Sequence, residues 1–204
     1  MERILNALVL TPEQRAAFEA AAPGCEQLFM KDADITAGDL AGVTVVLGNP
    51  SVAAVQAGGG SIRWMHTRSA GADQYIPAGV LPEGAILSSS VGAYGTSVSE
   101  HMFAMLLSIM KRLPAYRDQQ HQELWQRAGT ARTLHGATVL IGGAGDIGSS
   151  FAVLCKAMGA HTIGIRRNVN KPAEGIDEMA GMDDLDRLLP EADVVALVFP
   201  RSPE

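Results

Sequence analysis

Three glycines at the spacing of a phosphate-binding loop are the most informative feature of the sequence. Gly143, Gly145 and Gly148 fit the pattern G-x-G-x-x-G. An apolar strand-like run, 138–141, leads into them and a helix-like segment, 146–158, follows, which is the context that the pattern requires. There the first glycine permits a tight turn, the second lets a pyrophosphate approach the backbone, and the third lets the helix pack on the strand. The alternative is an ordinary glycine turn of an α/β protein, and the strand–loop–helix order favours the phosphate-binding loop.

The backbone of the same loop indicates how the phosphates are held. The N–H groups of Asp146 and Ile147 open the helix, and together with the positive end of the helix dipole they form an anion site. We therefore predict that Gly143, Gly145, Asp146, Ile147 and Gly148 bind a dinucleotide cofactor.

Two consecutive arginines indicate which dinucleotide is bound. Arg166 and Arg167 follow the strand-like run 161–165, at the distance of about 20 residues where NAD-binding proteins place an acid for the ribose diol. Paired guanidinium groups bind a 2′-phosphate, which an acid would repel. The sequence therefore predicts NADP, with NAD less favoured. The alternative is that both arginines are simply solvated at the end of a strand.

The remaining titratable residues form no catalytic constellation in the sequence. Cys25 and Cys155 lie in unrelated segments without the spacing of metal ligands. The histidines are scattered, and none has a fixed partner in sequence: His66, His101, His121, His135 and His161. The sequence therefore predicts no metal site and assigns no catalytic residue.

The composition is that of a protein with a buried core. Of the 204 residues, 47% are hydrophobic and 19% are charged, with a net charge of −6. That charge argues against nucleic-acid binding, which needs a concentrated basic face. The most apolar segment, 102–110, is far shorter than the ~20 residues of a membrane span, and the amino terminus lacks a signal-peptide pattern. We therefore expect a cytoplasmic protein with neither a nucleic-acid nor a membrane partner.

Strand-like and helix-like segments alternate along the chain, which predicts a mostly parallel sheet with helices on both faces. Thr11 is expected to cap a helix that has Pro12 at its first position. A long apolar helix, 98–113, is expected to begin at a capping box of Ser97 and Glu100 and to be bent or ended by Pro114. A boundary near 93–98 divides the chain into domains of 1–95 and 96–204. The strand-like runs are 4–10, 43–47, 62–67, 85–88, 138–141, 161–165 and 194–199.

The order of these motifs resembles that of the D-isomer-specific 2-hydroxyacid dehydrogenases, particularly the glyoxylate and hydroxypyruvate reductase-like members. The resemblance implies a flavodoxin-like amino-terminal substrate domain and then an incomplete Rossmann dinucleotide-binding domain that lacks its carboxyl-terminal half. The segments that carry it are spread over nearly the whole chain: 63–67, 69–73, 95–101, 134–138, 143–148 and 192–200.

The resemblance also implies further contacts. Ala70 and Gly71 would hold the substrate carboxylate on their backbone N–H groups, since adjacent amides in a glycine-containing turn form an anion site. Without the family, these residues are typical of a plain turn between a strand and a helix. Val98 would lie beside the nicotinamide, and Phe199 and Pro200 would border the adenosine side of the cofactor.

The reaction of the family is hydride transfer between a nicotinamide and the 2-carbon of a small 2-oxo acid such as glyoxylate or hydroxypyruvate. It needs an Arg to polarise the carbonyl, a His as general acid and a Glu that holds the His charged. In the family all three follow the strand that ends here at Pro200. We therefore expect an NADP-dependent 2-hydroxyacid dehydrogenase truncated before its catalytic residues, with the 204-residue chain inactive alone.

The resemblance and the apolar segments also imply contacts with other chains. The helical arm 97–128, which includes Trp125, would form a homodimer. One alternative function is a non-catalytic NADP-binding or dimerising protein that has lost the chemistry. Another possibility is a chain that does not fold stably alone, since 194–199 would expose an apolar sheet edge that a second chain covers.

Overall fold

The computed structural model describes residues 1–199. The chain separates into two compact units, Met1–Val91 and Gly92–Glu204. Each unit has its own parallel sheet and its own buried core. In the described part of the chain, no helix has both the length and the hydropathy needed to cross a membrane.

The first unit is a five-stranded parallel sheet in the order β2-β1-β3-β4-β5. This is the flavodoxin-like strand order, and it confirms the predicted class of the amino-terminal domain. Its elements are β1 (Arg3–Asn6), α1 (Pro12–Ala21), β2 (Glu26–Phe29), α2 (Ala37–Leu40), β3 (Val45–Leu47), α3 (Val52–Gly58), β4 (Trp64–Thr67) and β5 (Ile86–Ser89).

One face of the first sheet supplies the core of the unit. Leu5, Val46 and Met65 stand side by side on neighbouring strands, are fully buried, and share a cluster with Leu40 of α2 and Val55 of α3. Burying side chains of this size contributes roughly 1.5–3 kcal/mol each. The core therefore fixes the register of β1, β3 and β4, and with it the positions of the loops that follow them.

The predicted start of α1 is confirmed. The Thr11 side chain accepts a hydrogen bond from the Gln14 N–H, and the Gln14 side chain accepts one from the Thr11 N–H. This reciprocal pair satisfies two donors that a helix terminus otherwise leaves unpaired. Pro12 follows in the first turn, where its missing N–H costs nothing.

The second unit carries two helices and then a four-stranded parallel sheet in the order β8-β7-β6-β9. This order matches the first half of a Rossmann sheet and the first strand of its second half, and it confirms the incomplete Rossmann domain. Its elements are α4 (Gly95–Met110), α5 (Leu113–His121), β6 (Thr138–Gly142), α6 (Asp146–Ala157), β7 (His161–Ile165), β8 (Glu178–Ala180), α7 (Leu185–Leu188) and β9 (Val194–Leu197).

The expected start of the long helix is wrong. The helix α4 begins at Gly95, with Tyr94 before it and no side-chain cap, so Ser97 and Glu100 lie within its first turns. A Cβ on residue 95 would overlap Asp146 Oδ1 and lie 2.7 Å from Ser150 Oγ. Packing against α6 therefore sets where α4 begins, and no local cap is needed.

The expected end of the long helix is confirmed only in outline. The helix α4 ends at Met110, and Arg112 takes a left-handed backbone conformation with φ of 58°. Pro114 lies in the first turn of α5, so a second helix begins where the sequence pattern indicated a bend or a stop.

Candidate functional site

The loop between β6 and α6 contains the three predicted glycines, and each has a different environment. Gly143 has a φ of +99°, a conformation that side-chain-bearing residues rarely adopt. A Cβ there would also lie 2.7 Å from the carbonyl oxygen of Val198. A Cβ on Gly148 would overlap the carbonyl oxygen of Gly143 and lie 3.2 Å from Ile141 Cγ2. These two glycines allow the turn and the close approach of α6 to β6.

Gly145 differs from both because the space beside it is open. Its φ of −94° is accessible to any residue. A Cβ there would meet no heavy atom of the described chain within 4 Å, apart from its immediate neighbours. The fold therefore does not require a glycine at this position, and the open space lies at the exposed entrance to α6.

The first turn of α6 supplies backbone donors at the same place. Asp146 and Ile147 are the first two residues of the helix, and within residues 1–199 their N–H groups have no protein acceptor. Such unpaired donors and the helix dipole together favour an anion. Gly145, Asp146 and Ile147 thus combine open space with two backbone donors, an arrangement that favours an anion.

The helix α4 brings a second predicted residue to this region. Gly95 contacts Asp146 and Ser150, so the first turns of α4 and α6 lie side by side. Val98 follows Gly95 by three residues, on the same face of α4, and is half-buried. Deeper in this interface the rings of Phe103 and Phe151 pack edge to face with centroids 6.4 Å apart.

The two arginines lie beside the glycine loop because β7 is the neighbour of β6. The carbonyl of Ile165 accepts hydrogen bonds from the N–H groups of Gly143 at 3.0 Å and Ala144 at 3.2 Å. Arg166 follows immediately, and its guanidinium donates to the Lys171 carbonyl at 3.2 Å. Arg167 is exposed. No acidic residue occupies 166–168, so the local charge is positive.

Phe199 lies on the opposite side of the loop. Val198 donates to the carbonyl of Gly142 at 2.8 Å, and the Phe199 ring lies against Gly142, where a Cβ would overlap it. Phe199 is 40% exposed. Pro200, the other residue predicted here, lies outside the described residues.

The other predicted loop belongs to the first unit and follows β4. The N–H groups of Ala70 and Gly71 have no acceptor within the described chain. The N–H groups of Arg68 and Ser69 just before them are both bonded to Asn49 Oδ1, at 2.9 Å and 3.3 Å. Sequence reasoning singled out Ala70 and Gly71 but missed Asn49, which belongs to no motif and reaches the loop only through the fold.

Two other titratable groups, the Cys155 thiol and the His66 ring, have surroundings that the structure defines. Burial raises the pKa of the Cys155 thiol to about 12, which leaves it unreactive at neutral pH. The His66 ring lies between two serine hydroxyls, with Nδ1 2.9 Å from Ser88 Oγ and Nε2 3.2 Å from Ser90 Oγ. These contacts join β4 to β5 and to the residue that follows it.

Large apolar side chains are exposed along the arm, 97–128. Met105 and Ile109 of α4 are 52% and 69% exposed, and Leu113 of α5 is 54% exposed. Trp125 is fully exposed. Met105 and Ile109 are four residues apart and so share one face of α4, and an exposed apolar face is characteristic of a protein interface.

A family profile matches the second unit. The D-isomer specific 2-hydroxyacid dehydrogenase NAD-binding domain matches residues 103–204, half of the chain. The match includes the glycine loop, both arginines and Phe199.

Curated relatives are similar to the chain over part of their length. An uncharacterised protein of Corynebacterium melassecola is 30% identical over 142 residues, which is 69% of this chain and 46% of the relative. The D-3-phosphoglycerate dehydrogenase of Mycobacterium tuberculosis is 31% identical over 109 residues, 53% of this chain and 20% of the enzyme. The chain spans less than half the length of these relatives.

Solved structures are similar over nearly the whole chain. A D-isomer specific 2-hydroxyacid dehydrogenase family protein of Aeromonas salmonicida has a TM-score of 0.82 and 28% identity, covering 98% of this chain and 64% of that one. The NADPH-dependent glyoxylate/hydroxypyruvate reductase of Sinorhizobium meliloti, solved with NADP and sulfate, has a TM-score of 0.77 and 24% identity, covering 100% and 64%. The Aquifex aeolicus D-lactate dehydrogenase, solved with NAD and lactic acid, has a TM-score of 0.72 and 22% identity. The match covers 98% of this chain and 61% of that one. At such identities the last two indicate the fold alone.

Proposed function

The chain belongs to the D-isomer specific 2-hydroxyacid dehydrogenase family, and we propose that it binds NADPH for the reduction of a small 2-oxo acid such as glyoxylate or hydroxypyruvate. The observation that carries the proposal is the open side of Gly145 next to the unpaired N–H groups of Asp146 and Ile147. A Cβ placed on Gly145 would have no described heavy atom within 4 Å, so this open side is where the pyrophosphate is proposed to bind. When bound, the nicotinamide supplies the hydride.

The choice of NADP over NAD rests on the charge at the end of β7. Arg166 and Arg167 stand where an acid would otherwise bind the adenosine ribose, and charge-assisted bonds to a 2′-phosphate are stronger than neutral ones. Phe199 and Pro200 are proposed to border the adenosine side, and Val98 the nicotinamide.

The substrate carboxylate is proposed to bind the N–H groups of Ala70 and Gly71. Two adjacent backbone donors suit a carboxylate because both of its oxygens accept hydrogen bonds. None of the residues 1–199 is assigned the Arg, His and Glu roles of the family reaction. The 204 residues are therefore proposed to bind the cofactor and orient the acid without catalysing hydride transfer at an enzymatic rate.

The 204-residue chain is expected to bind NADPH without oxidising it in the presence of glyoxylate or hydroxypyruvate. Titration of cofactor fluorescence measures the binding, and absorbance at the nicotinamide band measures turnover in the same samples. Binding without turnover supports both a cofactor-binding part of a reductase and a non-catalytic NADP-binding protein. Turnover at an ordinary enzymatic rate would show that the chain holds a catalytic group not assigned above, and absence of binding would refute the proposal.

We propose that the arm forms a homodimer. Replacing Ile109, which is 69% exposed on the arm, by arginine is expected to give a monomer, because an unpaired charge in an apolar interface is strongly destabilising. Ile76 in the first unit is 68% exposed and provides the matched control. Sedimentation velocity is expected to show dimers for the wild type and I76R, and monomers for I109R. A monomeric wild type would contradict the proposal.

A further inference from the structure

We propose that Asn49 is a positioning residue that keeps the N–H groups of Ala70 and Gly71 free for a carboxylate. The inference rests on the proposed substrate loop, and it concerns why that loop holds an anion-binding shape when empty. A chain segment with four consecutive N–H groups has many ways to pair them internally. Asn49 removes most of these by binding the neighbouring groups.

Asn49 makes three contacts with the loop through one side chain. Its Oδ1 accepts hydrogen bonds from the N–H groups of Arg68 at 2.9 Å and Ser69 at 3.3 Å. Its Nδ2 donates to Ser69 Oγ at 2.9 Å. The first two amides of the loop are thus occupied, while those of Ala70 and Gly71 are left without an acceptor in the described chain.

Ser69 extends this arrangement to the carbonyl groups. Its hydroxyl donates to the Gly71 carbonyl at 2.6 Å, and its own carbonyl accepts from Thr67 Oγ1 at 2.9 Å and from the Ser90 N–H at 3.2 Å. Because these carbonyl oxygens are bonded within the protein, they do not turn toward an incoming anion and repel it. The loop therefore presents donors and withholds acceptors.

Asn49 is itself held by residues outside the loop. Asp32 Oδ1 accepts its backbone N–H at 2.6 Å, and Asp32 Oδ2 pairs with the guanidinium of Arg68 at 2.8 Å. Gly48 precedes it with a φ of +138°, and a Cβ there would lie 2.8 Å from Asp32 Oδ1. The buried Tyr75 hydroxyl donates to the carbonyl of Pro50, which follows Asn49, at 2.6 Å.

The test is a titration of the uniformly 15N-labelled chain with oxalate, an unreactive carboxylate probe, followed by amide chemical shifts. In the wild type the Ala70 and Gly71 resonances are expected to move with saturation. N49A removes three hydrogen bonds. It is expected to raise the oxalate Kd measured at these resonances by about tenfold or more. Hydrogen exchange at Arg68 and Ser69 is expected to become faster in the same variant.

Asn6 provides the matched control because it is also an asparagine at the carboxyl end of a strand of this sheet. It is 1% exposed, and its Oδ1 accepts the Leu8 N–H at 3.0 Å. N6A is expected to lower the Tm at least as much as N49A, yet to leave the oxalate Kd within about twofold, since no bond to the loop is lost. An equal loss of affinity in both variants would assign Asn49 a merely structural role and overturn the inference.

A second variant covers the case in which N49A does not fold. S69A keeps both amide contacts to Asn49 Oδ1 and loses only the hydroxyl contacts, so a weakening of about two- to fivefold is expected. An unchanged Kd in S69A would then overturn the inference. If oxalate moves neither Ala70 nor Gly71 in the wild type, the inference and the substrate loop both fail. The proposed NADPH binding would still be tested independently, by the titration of cofactor fluorescence.

Discussion

Replacing Gly145 by alanine is expected to weaken NADPH binding by about tenfold or more while changing the Tm by less than about 2 °C. The added Cβ meets no described atom within 4 Å and the backbone conformation accepts alanine, so the fold has no reason to change. The methyl group instead fills the space next to the N–H groups of Asp146 and Ile147. A pyrophosphate held away from these donors loses its short hydrogen bonds. Calorimetric titration and thermal unfolding of the same preparation measure the two quantities.

Gly148 provides the contrast that makes this result interpretable. A Cβ there would overlap the Gly143 carbonyl oxygen, so G148A is expected to destabilise the unit by about 1–3 kcal/mol and to lower the Tm by about 5 °C or more. NADPH binding by G148A is then expected to weaken because the variant unit is less stable. If G145A lowered the Tm as much as G148A, or bound NADPH as tightly as the wild type, the assignment of the open side to the cofactor would be refuted.

The parts of the fold that follow from local pattern were predictable from the sequence. Thr11 and Pro12 mark the start of α1 through short-range hydrogen bonding, and the apolar runs around Leu5, Val46 and Met65 are long enough to indicate buried strands. The glycine loop was predictable because strand, turn and helix follow one another directly in the chain. In each case the pattern that indicates the structure lies within a few consecutive residues.

The parts of the fold that depend on packing between residues far apart in the chain were not predictable from the sequence. Ser97 and Glu100 have the spacing of a capping box, yet α4 begins earlier because Gly95 fits against Asp146 of α6. The strand β2, Glu26–Phe29, has two polar residues and lies at the sheet edge, so it shows no continuous apolar run. Local propensity was overridden by contacts that sequence order does not reveal.

The same limit applies to the candidate site. Gly143, Gly145 and Gly148 are recognisable because their spacing, between a strand and a helix, is typical of a phosphate-binding loop. Asn49 precedes the loop that it holds by about 20 residues, in a segment with no motif, and its role depends on β3 and β4 being neighbours in the sheet. The proposed ligand-binding residues that belong to a motif are therefore recognisable in the sequence, whereas the residue proposed to position the substrate loop is not.

Replacing Arg166 and Arg167 together by serine is expected to weaken NADPH binding by about 100-fold and NADH binding by less than about threefold. The 2′-phosphate is the only group by which NADPH differs from NADH, so the difference between the two affinities isolates the proposed contact. Arg167 is exposed, while the guanidinium of Arg166 also donates to the Lys171 carbonyl. R167S alone is therefore expected to weaken NADPH binding by about tenfold without disturbing the turn after β7.

Salt and a charge-matched control separate this contact from general electrostatics. Arg15 lies on α1 in the other unit, where it pairs with Glu19 at 3.0 Å, so R15S removes one positive charge without touching the end of β7. It is expected to leave both cofactor affinities unchanged. In the wild type the NADPH Kd should rise more steeply with ionic strength than the NADH Kd, because added salt screens the extra phosphate charge. Two results would contradict the proposal: an equal loss of affinity for NADPH and NADH in the double variant, or tighter binding of NADH than of NADPH by the wild type. Either would show that Arg166 and Arg167 are simply solvated at the end of β7. The positive charge after β7 would then have no part in cofactor choice.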